Sequence, residues 1–169
     1  MTSLASGLAS QIFPDYSDCV LQATDDFTVT AAEWIIEKVA VIGSAHTAPP
    51  ANSFEVFFYE DNGGLPGTEI YHGFGLSYTQ TGSLYEIDLI TPAVLTTGTY
   101  WISVMPNMSF TTNGQWFWEP AAGPQAGNEF AWRDPCSLVS SGFTDWTTRG
   151  PISYLNYDLT FALYGTDVP

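Results

Sequence analysis

Adjacent carboxylates at Asp25 and Asp26, with Asp61, Asn62 and Asp88 further along the chain, are the side chains best suited to hold a hard cation. Calcium takes roughly six to eight oxygen ligands at about 2.3–2.6 Å, and these residues offer the right donor type. Their spacing lacks the regular D-x-[DN]-x-[DN]-G loop, so the alternative stays open. In that alternative Asp25 and Asp26 only accept from turn amides, and Asp61-Asn62-Gly63-Gly64 is a hairpin loop. The expectation is no obligatory cofactor, with calcium on Asp25, Asp26 and Asp61 as the candidate metal site.

A second kind of chemistry comes from the tryptophans. Trp101, Trp116, Trp118 and Trp132 carry enough aromatic surface to stack on sugar rings, with Glu119, Asn128 and Arg133 as hydrogen-bonding neighbours. The competing use of a tryptophan is core packing, and for Trp101 and Trp132 the core is the better reading. Trp116 and Trp118 fall on one face of a strand by its period of two. Trp116, Trp118 and Glu119 are therefore the candidate glycan-binding set.

Catalytic constellations are harder to find. The two histidines, His46 and His72, sit in unrelated loop contexts, and each reads as a solvated residue rather than a base. Glu86 and Asp88 share the wet face of a strand, an ordinary place for solubilising carboxylates. A glycosidase pair would need a separation that only the fold sets. The chain is expected not to be an enzyme. Cys19 and Cys136 lie in neither a CxxC nor a Cys/His pattern, which argues against zinc. As a disulfide they would close a loop spanning most of the chain, stabilising it by about 4–5 kcal/mol in the loop-entropy model, in an oxidising compartment.

These residues must be positioned by strands. Residues 84–90 place Tyr85, Ile87 and Leu89 against Glu86 and Asp88, and residues 157–164 alternate in the same way, with Gly165 ending the strand. Residues 54–60 are apolar on both faces except at Glu55, so they predict a central strand covered on one side by a second sheet and on the other by a loop or partner. Residues 100–105 follow a Thr97-Gly98 turn and stop at Pro106. Residues 34–42 also fit a helical stripe, but their β-branched content favours a strand. Shorter strands are expected at 20–29, 69–71, 76–79, 116–119, 129–133 and 143–147. About ten strands predict an all-β fold, a two-sheet antiparallel β-sandwich of jelly-roll type, as one domain over residues 1–169.

Composition narrows the partners. Eighteen acidic side chains face three basic ones, Lys38, Arg133 and Arg149, for a formal net charge of −15 in 169 residues. Such a field repels nucleic acid and anionic membrane surfaces, leaving cations, neutral glycans or proteins. Charged residues are 12% of the chain against roughly 25% usually, so Ser, Thr, Asn, Gln and Gly must cover the surface. No apolar run approaches the ~20 residues of a membrane helix, which predicts no membrane insertion. The first residues lack the basic start and long apolar block of a signal peptide. Residues 1–16 carry Leu4, Leu8, Ile12 and Phe13, which either dock on their own domain or add to a neighbouring subunit as an assembly segment. Asn107-Met108-Ser109 matches a glycosylation sequon.

Several segments resemble a family of unassigned β-sandwich domains of secreted bacterial surface proteins, of Bacteroidetes-type and metagenomic origin. They include Ala23-Thr24-Asp25-Asp26-Phe27-Thr28-Val29, Phe57-Phe58-Tyr59-Glu60-Asp61-Asn62-Gly63-Gly64-Leu65-Pro66-Gly67 and Gly98-Thr99-Tyr100-Trp101-Ile102-Ser103-Val104. Trp116-Phe117-Trp118-Glu119, Phe130-Ala131-Trp132-Arg133-Asp134-Pro135 and Asp158-Leu159-Thr160-Phe161-Ala162-Leu163-Tyr164-Gly165 continue the pattern. The resemblance implies a sandwich domain at the cell surface or outside the cell and no shared catalytic motif. Together the readings predict a non-catalytic extracellular structural module that forms a homo-oligomer or polymer, such as a filament, sheath or adhesive layer. The alternative is a carbohydrate-binding module, calcium-stabilised, with a glycan or surface protein as partner.

Overall fold

The computed structural model describes residues 7–45, 50–148 and 158–169. Leu4, His46, Arg149, Tyr157 and the Pro49 half of the Pro49-Pro50 turn lie outside the described residues. In chain order the strands are β1 (Leu8–Ala9), β2 (Gln11–Phe13), β3 (Cys19–Ala45), β4 (Ser53–Asp61), β5 (Pro66–Leu76), β6 (Tyr78–Thr81), β7 (Leu84–Asn107), β8 (Trp116–Trp118), β9 (Ala131–Arg133), β10 (Thr147–Thr148) and β11 (Phe161–Val168). A one-turn helix, α1 (Phe110–Asn113), separates β7 from β8.

The chain is all-β, and its 11 strands join in one mixed sheet that curls into a half-barrel, where the sequence predicted two separate antiparallel sheets. The reason lies in β3 and β7. The expected strands 20–29 and 34–42 fuse into the 27 residues of β3, and 84–90 and 100–105 fuse into the 24 residues of β7. The predicted Thr97-Gly98 turn does not form, because Gly98 pairs with Val29 inside the ladder. Pro92 is tolerated because β7 slips against β3 between Ala93 and Asp88, leaving residues 89–92 outside the register, where a missing N–H costs nothing. Gly165 likewise marks a bulge instead of a stop, and β11 continues to Val168.

Alternation along β4 sorts its side chains onto two faces. Phe54, Val56 and Phe58 enter the main core with Val29, Ile36, Val39, Ile87 and Leu95. Phe57 and Tyr59 point the other way into a second cluster with Ile12, Trp101, Met105 and Ala131. The strand is central, between β7 and β5, and is covered on both faces as its sequence predicted. Residues Gly63 and Gly64 carry positive φ of 67° and 86° in the β4–β5 hairpin, conformations that glycine takes without a Cβ clash.

Candidate functional site

Three aspartates meet where the start of β3 faces the C-terminal chain. Asp25 is buried and accepts from the backbone N–H groups of Asp26 and Leu159. Asp26 accepts from the backbone and side-chain amides of Asn128, the latter at 2.8 Å, and its carboxylate fills the space a Cβ on Gly127 would need. Asp158 accepts from Ala126 N–H at 2.7 Å, while its buried Oδ1 has no partner. Burial pushes all three carboxyls above the ordinary aspartate range, reinforced at Asp25 by Asp158 and Asp26, at Asp26 by Asp61, and at Asp158 by Asp26. Asp158 was hidden from sequence reading because alternation assigned it to a wet face.

Asp61 accepts from Trp101 Nε1 at 2.9 Å and from Gly64 N–H, the hairpin role given above as the alternative to calcium. Among the described residues no group of three or more His, Cys, Asp or Glu side chains is placed to hold a metal ion. Asp25, Asp26 and Asp61 thus serve as acceptors that tie loops to strands.

The tryptophans also depart from their predicted use. Trp116 and Trp118 do share a strand face, but they are 1% and 0% exposed, so neither offers a ring face for stacking. Glu119 is half-buried and engages the fold through its main chain, its carbonyl accepting from Thr160 N–H and Oγ1. Trp118 Nε1 donates to Thr160 O, Trp132 Nε1 to Ala9 O and Trp101 Nε1 to Asp61. Trp116 Nε1 alone among these four has no aligned acceptor. Its indole edge rests on Gly43, where a Cβ would lie 2.1 Å from Cζ2. The Tyr85 hydroxyl is near enough for hydrogen bonding from the indole to offset part of the upward push that burial gives this phenol.

Trp116 lies at one end of the sheet, on a cleft of about 330 Å³ formed by the end of β3, residues 50–51, the β6–β7 turn and Met108. Its described lining carries main-chain groups, Ser44, Ser83, the Gln80 amide and the Tyr85 phenol, and no Asp, Glu, Lys, Arg or His.

Several titratable side chains elsewhere have partners within the fold. His72 Nε2 lies 2.6 Å from Glu55 Oε2, and its ring stacks on Phe57 at 4.1 Å between centroids. Glu86 and Asp88 flank Lys38 at 3.8 and 3.4 Å. Arg133 donates from Nε to Gln22 and lies 4.2 Å over the Trp146 ring, while Gln22 donates to Tyr59 and Ser103. Burial pushes the Tyr59 phenol up to about 12, with Arg133 pulling the other way.

The described part of the N-terminal segment, residues 7–16, docks on its own domain. Ile12 and Phe13 are buried in the two core clusters, Leu8 packs against the main one, and β2 pairs with both β3 and β7. Cys19 and Cys136 form the predicted disulfide, at a Cα separation of 5.9 Å. Exposed apolar side chains occur in several places, among them Phe74 and Ile70 on β5, Tyr16, Phe110 and Val139 around the one-turn helix, and a group on the outer face of β11, β3 and β7. Cross-strand register sets Val94, Ile35 and Thr166 in one row and Thr96, Glu33 and Val168 in the next, with Lys38 and Tyr164 paired further along. Val94, Tyr164 and Val168 are 55%, 50% and 41% exposed, and Ile90, in the adjoining β7 bulge, is 79% exposed. The chain matches no protein-family model, no curated protein and no solved structure.

Proposed function

We propose that this chain is a non-catalytic extracellular structural module that self-associates into a filament, sheath or adhesive layer through the uncovered outer face of β11, β3 and β7. The observation that carries this reading is the set of outward apolar side chains, Val94, Ile35, Tyr164 and Val168, spaced among polar ones on a sheet face that no described segment covers. The free edge of β11 adds to it. Among the described strands β11 pairs only with β3, so one rim of eight residues presents unpaired main-chain groups. Its sequence places one charge and no proline on that edge, few of the devices that keep edges apart. By contrast β5, the edge strand at the other end, carries Pro66, Glu69 and three register irregularities in its pairing with β4.

The occupant that fits is a second copy. Two β11 edges can pair antiparallel about a two-fold axis, each supplying the acceptors the other lacks. Edge pairing alone closes a dimer, and face-to-face packing of the outer apolar surface gives a second two-fold contact. Two different two-fold contacts alternate into an open chain. At a net charge of −15 the copies repel one another, so assembly should strengthen as salt screens that repulsion. The test is mass in solution and negative-stain electron microscopy across a range of protein and salt concentrations. Larger species that grow with both variables support the reading, and a monomer at every condition refutes it.

A further inference from the structure

We infer that the fold selects Asn62, at the tip of the β4–β5 hairpin, as a site of spontaneous deamidation through a cyclic imide with Gly63, and protects Asn113 from the same reaction. This is independent of self-association. The chain holds two Asn-Gly pairs, Asn62-Gly63 and Asn113-Gly114. Glycine after asparagine lets the main-chain nitrogen reach the side-chain carbonyl carbon, because no Cβ stands in the way. Both pairs meet that condition, so the surroundings decide between them. Asn62 and Gly63 are exposed, and a Cβ on Gly63 would meet no atom within 4 Å. The amides on either side are engaged: Asn62 N–H donates to Leu65 O at 2.8 Å, and Gly64 N–H donates to Asp61 Oδ1 at 3.1 Å. The Gly63 N–H between them and the Asn62 side-chain amide have no hydrogen-bond partner among the described residues. Two consecutive glycines, Gly63 and Gly64, leave the turn free to bring Gly63 N onto Asn62 Cγ. Asn113 is in the opposite position. It is 7% exposed, its N–H donates to Ser109 O at 2.9 Å in α1, and the nitrogen that would attack, Gly114 N, donates to Phe110 O at 2.8 Å. Reaction there requires that hydrogen bond to break and the side chain to open to water.

The reaction needs only water. Gly63 N gives up its proton and bonds to Asn62 Cγ, the Cγ–Nδ2 bond breaks, and ammonia leaves with that proton. Water then opens the imide at either of its carbonyls. Addition at Cγ restores the ordinary main chain with a side-chain carboxyl in place of the amide. Addition at the main-chain carbonyl leaves an isoaspartyl linkage, in which the chain runs through Cγ and is longer by a single carbon. Either product places a new carboxylate beside the exposed Glu60 and Asp61, in a chain whose net charge is already −15. Asp61 accepts from both Gly64 N–H and the buried Trp101 indole, so the isoaspartyl form alters the turn next to a clamp on the second core.

The experiment incubates the full chain, with its disulfide intact, at mildly alkaline pH. The peptides carrying Asn62 and Asn113 are then followed by digestion and mass spectrometry, which reads the exchange of an amino group for a hydroxyl, and the isoaspartyl product is measured by enzymatic methyl transfer. A parallel sample is reduced and held in guanidinium. In the native chain Asn62 should react more than about tenfold faster than Asn113, the factor that an opening free energy of about 1.4 kcal/mol at α1 imposes. In guanidinium the two rates should converge, because neither pair is then held. Asn62→Gln, a change at an exposed side chain, should remove the fast product and leave the Asn113 peptide as it was. Equal rates in the native chain, or an Asn62 that stays intact there, would overturn the inference. So would a difference that persists in guanidinium, since neighbouring sequence and not the fold would then set it.

Discussion

The two ends of the outer sheet face, built on the same pair of long strands, are finished in opposite ways. Where β3 leaves Cys19 and β7 approaches Asn107, the outer face is apolar, and it is covered. Phe57, Tyr59, Trp101, Met105 and Ile12 form a second core, and Trp146 packs edge-on against Tyr59 while Arg133 lies over the indole. Towards the other end of β3 the inner face remains core, whereas the outer face carries Val94, Tyr164 and Val168 with Lys38 between Glu86 and Asp88, and stays open. A single curled sheet cannot cover both of its faces everywhere. The described residues 128–146 cover one end, and the disulfide and a set of buried acceptors pin them there.

The largest way to break that asymmetry is to release the cover. Replacing Cys19 and Cys136 together by serine removes a link across 117 positions and should cost about 4–5 kcal/mol, read as a fall in the denaturant midpoint. Amide exchange should rise at 130–146 well before it rises at 84–96, and equal protection loss in both regions would show that the cover is not a separate unit. Trp101→Phe comes next. It trims a fully buried indole to a phenyl and leaves Asp61 without the donor at 2.9 Å, and the lost packing and hydrogen bond together should cost about 2–4 kcal/mol in the same measurement.

Acidity probes the covered end alone. Asp25, Asp26 and Asp158 have folded-state pKa values raised by burial and by one another. A raised carboxyl contributes its full stability below the unfolded aspartate value and loses it as pH rises through the folded value. Stability should therefore decline as pH rises above the unfolded aspartate value of about 3.9, and Asp25→Asn should flatten the slope. Asp15 works in the opposite sense. Desolvation is the largest single influence on it and pushes upward, but donors from Thr111, Phe110 and Ser109 together outweigh it and hold the carboxyl below the usual range, so its contribution is lost as pH falls below the unfolded aspartate value. A midpoint that rises steadily from pH 5 to pH 8 would contradict the junction as described.

Period-two alternation made the strands at 84–90 and 54–60 readable, and the double apolar face of 54–60 announced the cover before its source was known. The disulfide was legible because no other pattern fitted the two cysteines. Continuity was not. Gly98, Pro92 and Gly165 look like breaks in a linear reading, yet one pairs in register, one sits in a slip and one in a bulge. The sites were less legible still. Burial of Trp116 and Trp118 depends on what the other strands bring over them, the contact of Gly43 with Trp116 joins residues 73 positions apart, and Asp158 reaches Asp26 only through the curl of the sheet.

The smallest expected change in stability belongs to the open end, and it decides the most. Val94→Thr and Tyr164→Ser alter side chains that are half or more exposed and touch no buried hydrogen bond, so the folded monomer should keep its stability within about 0.5 kcal/mol. Assembly should respond very differently, because both side chains lie on the face assigned to the contact between copies. The same pair of changes at Tyr16 and Val139, exposed apolar residues away from that face, gives the control for surface hydrophobicity in general. If the open-face pair abolishes larger species at high salt while the control pair leaves them intact, the uncovered half of the sheet is the contact surface. Equal loss in both would make association a property of exposed apolar area at large, and the open face would then be no more than the part of the sheet for which the chain had no cover.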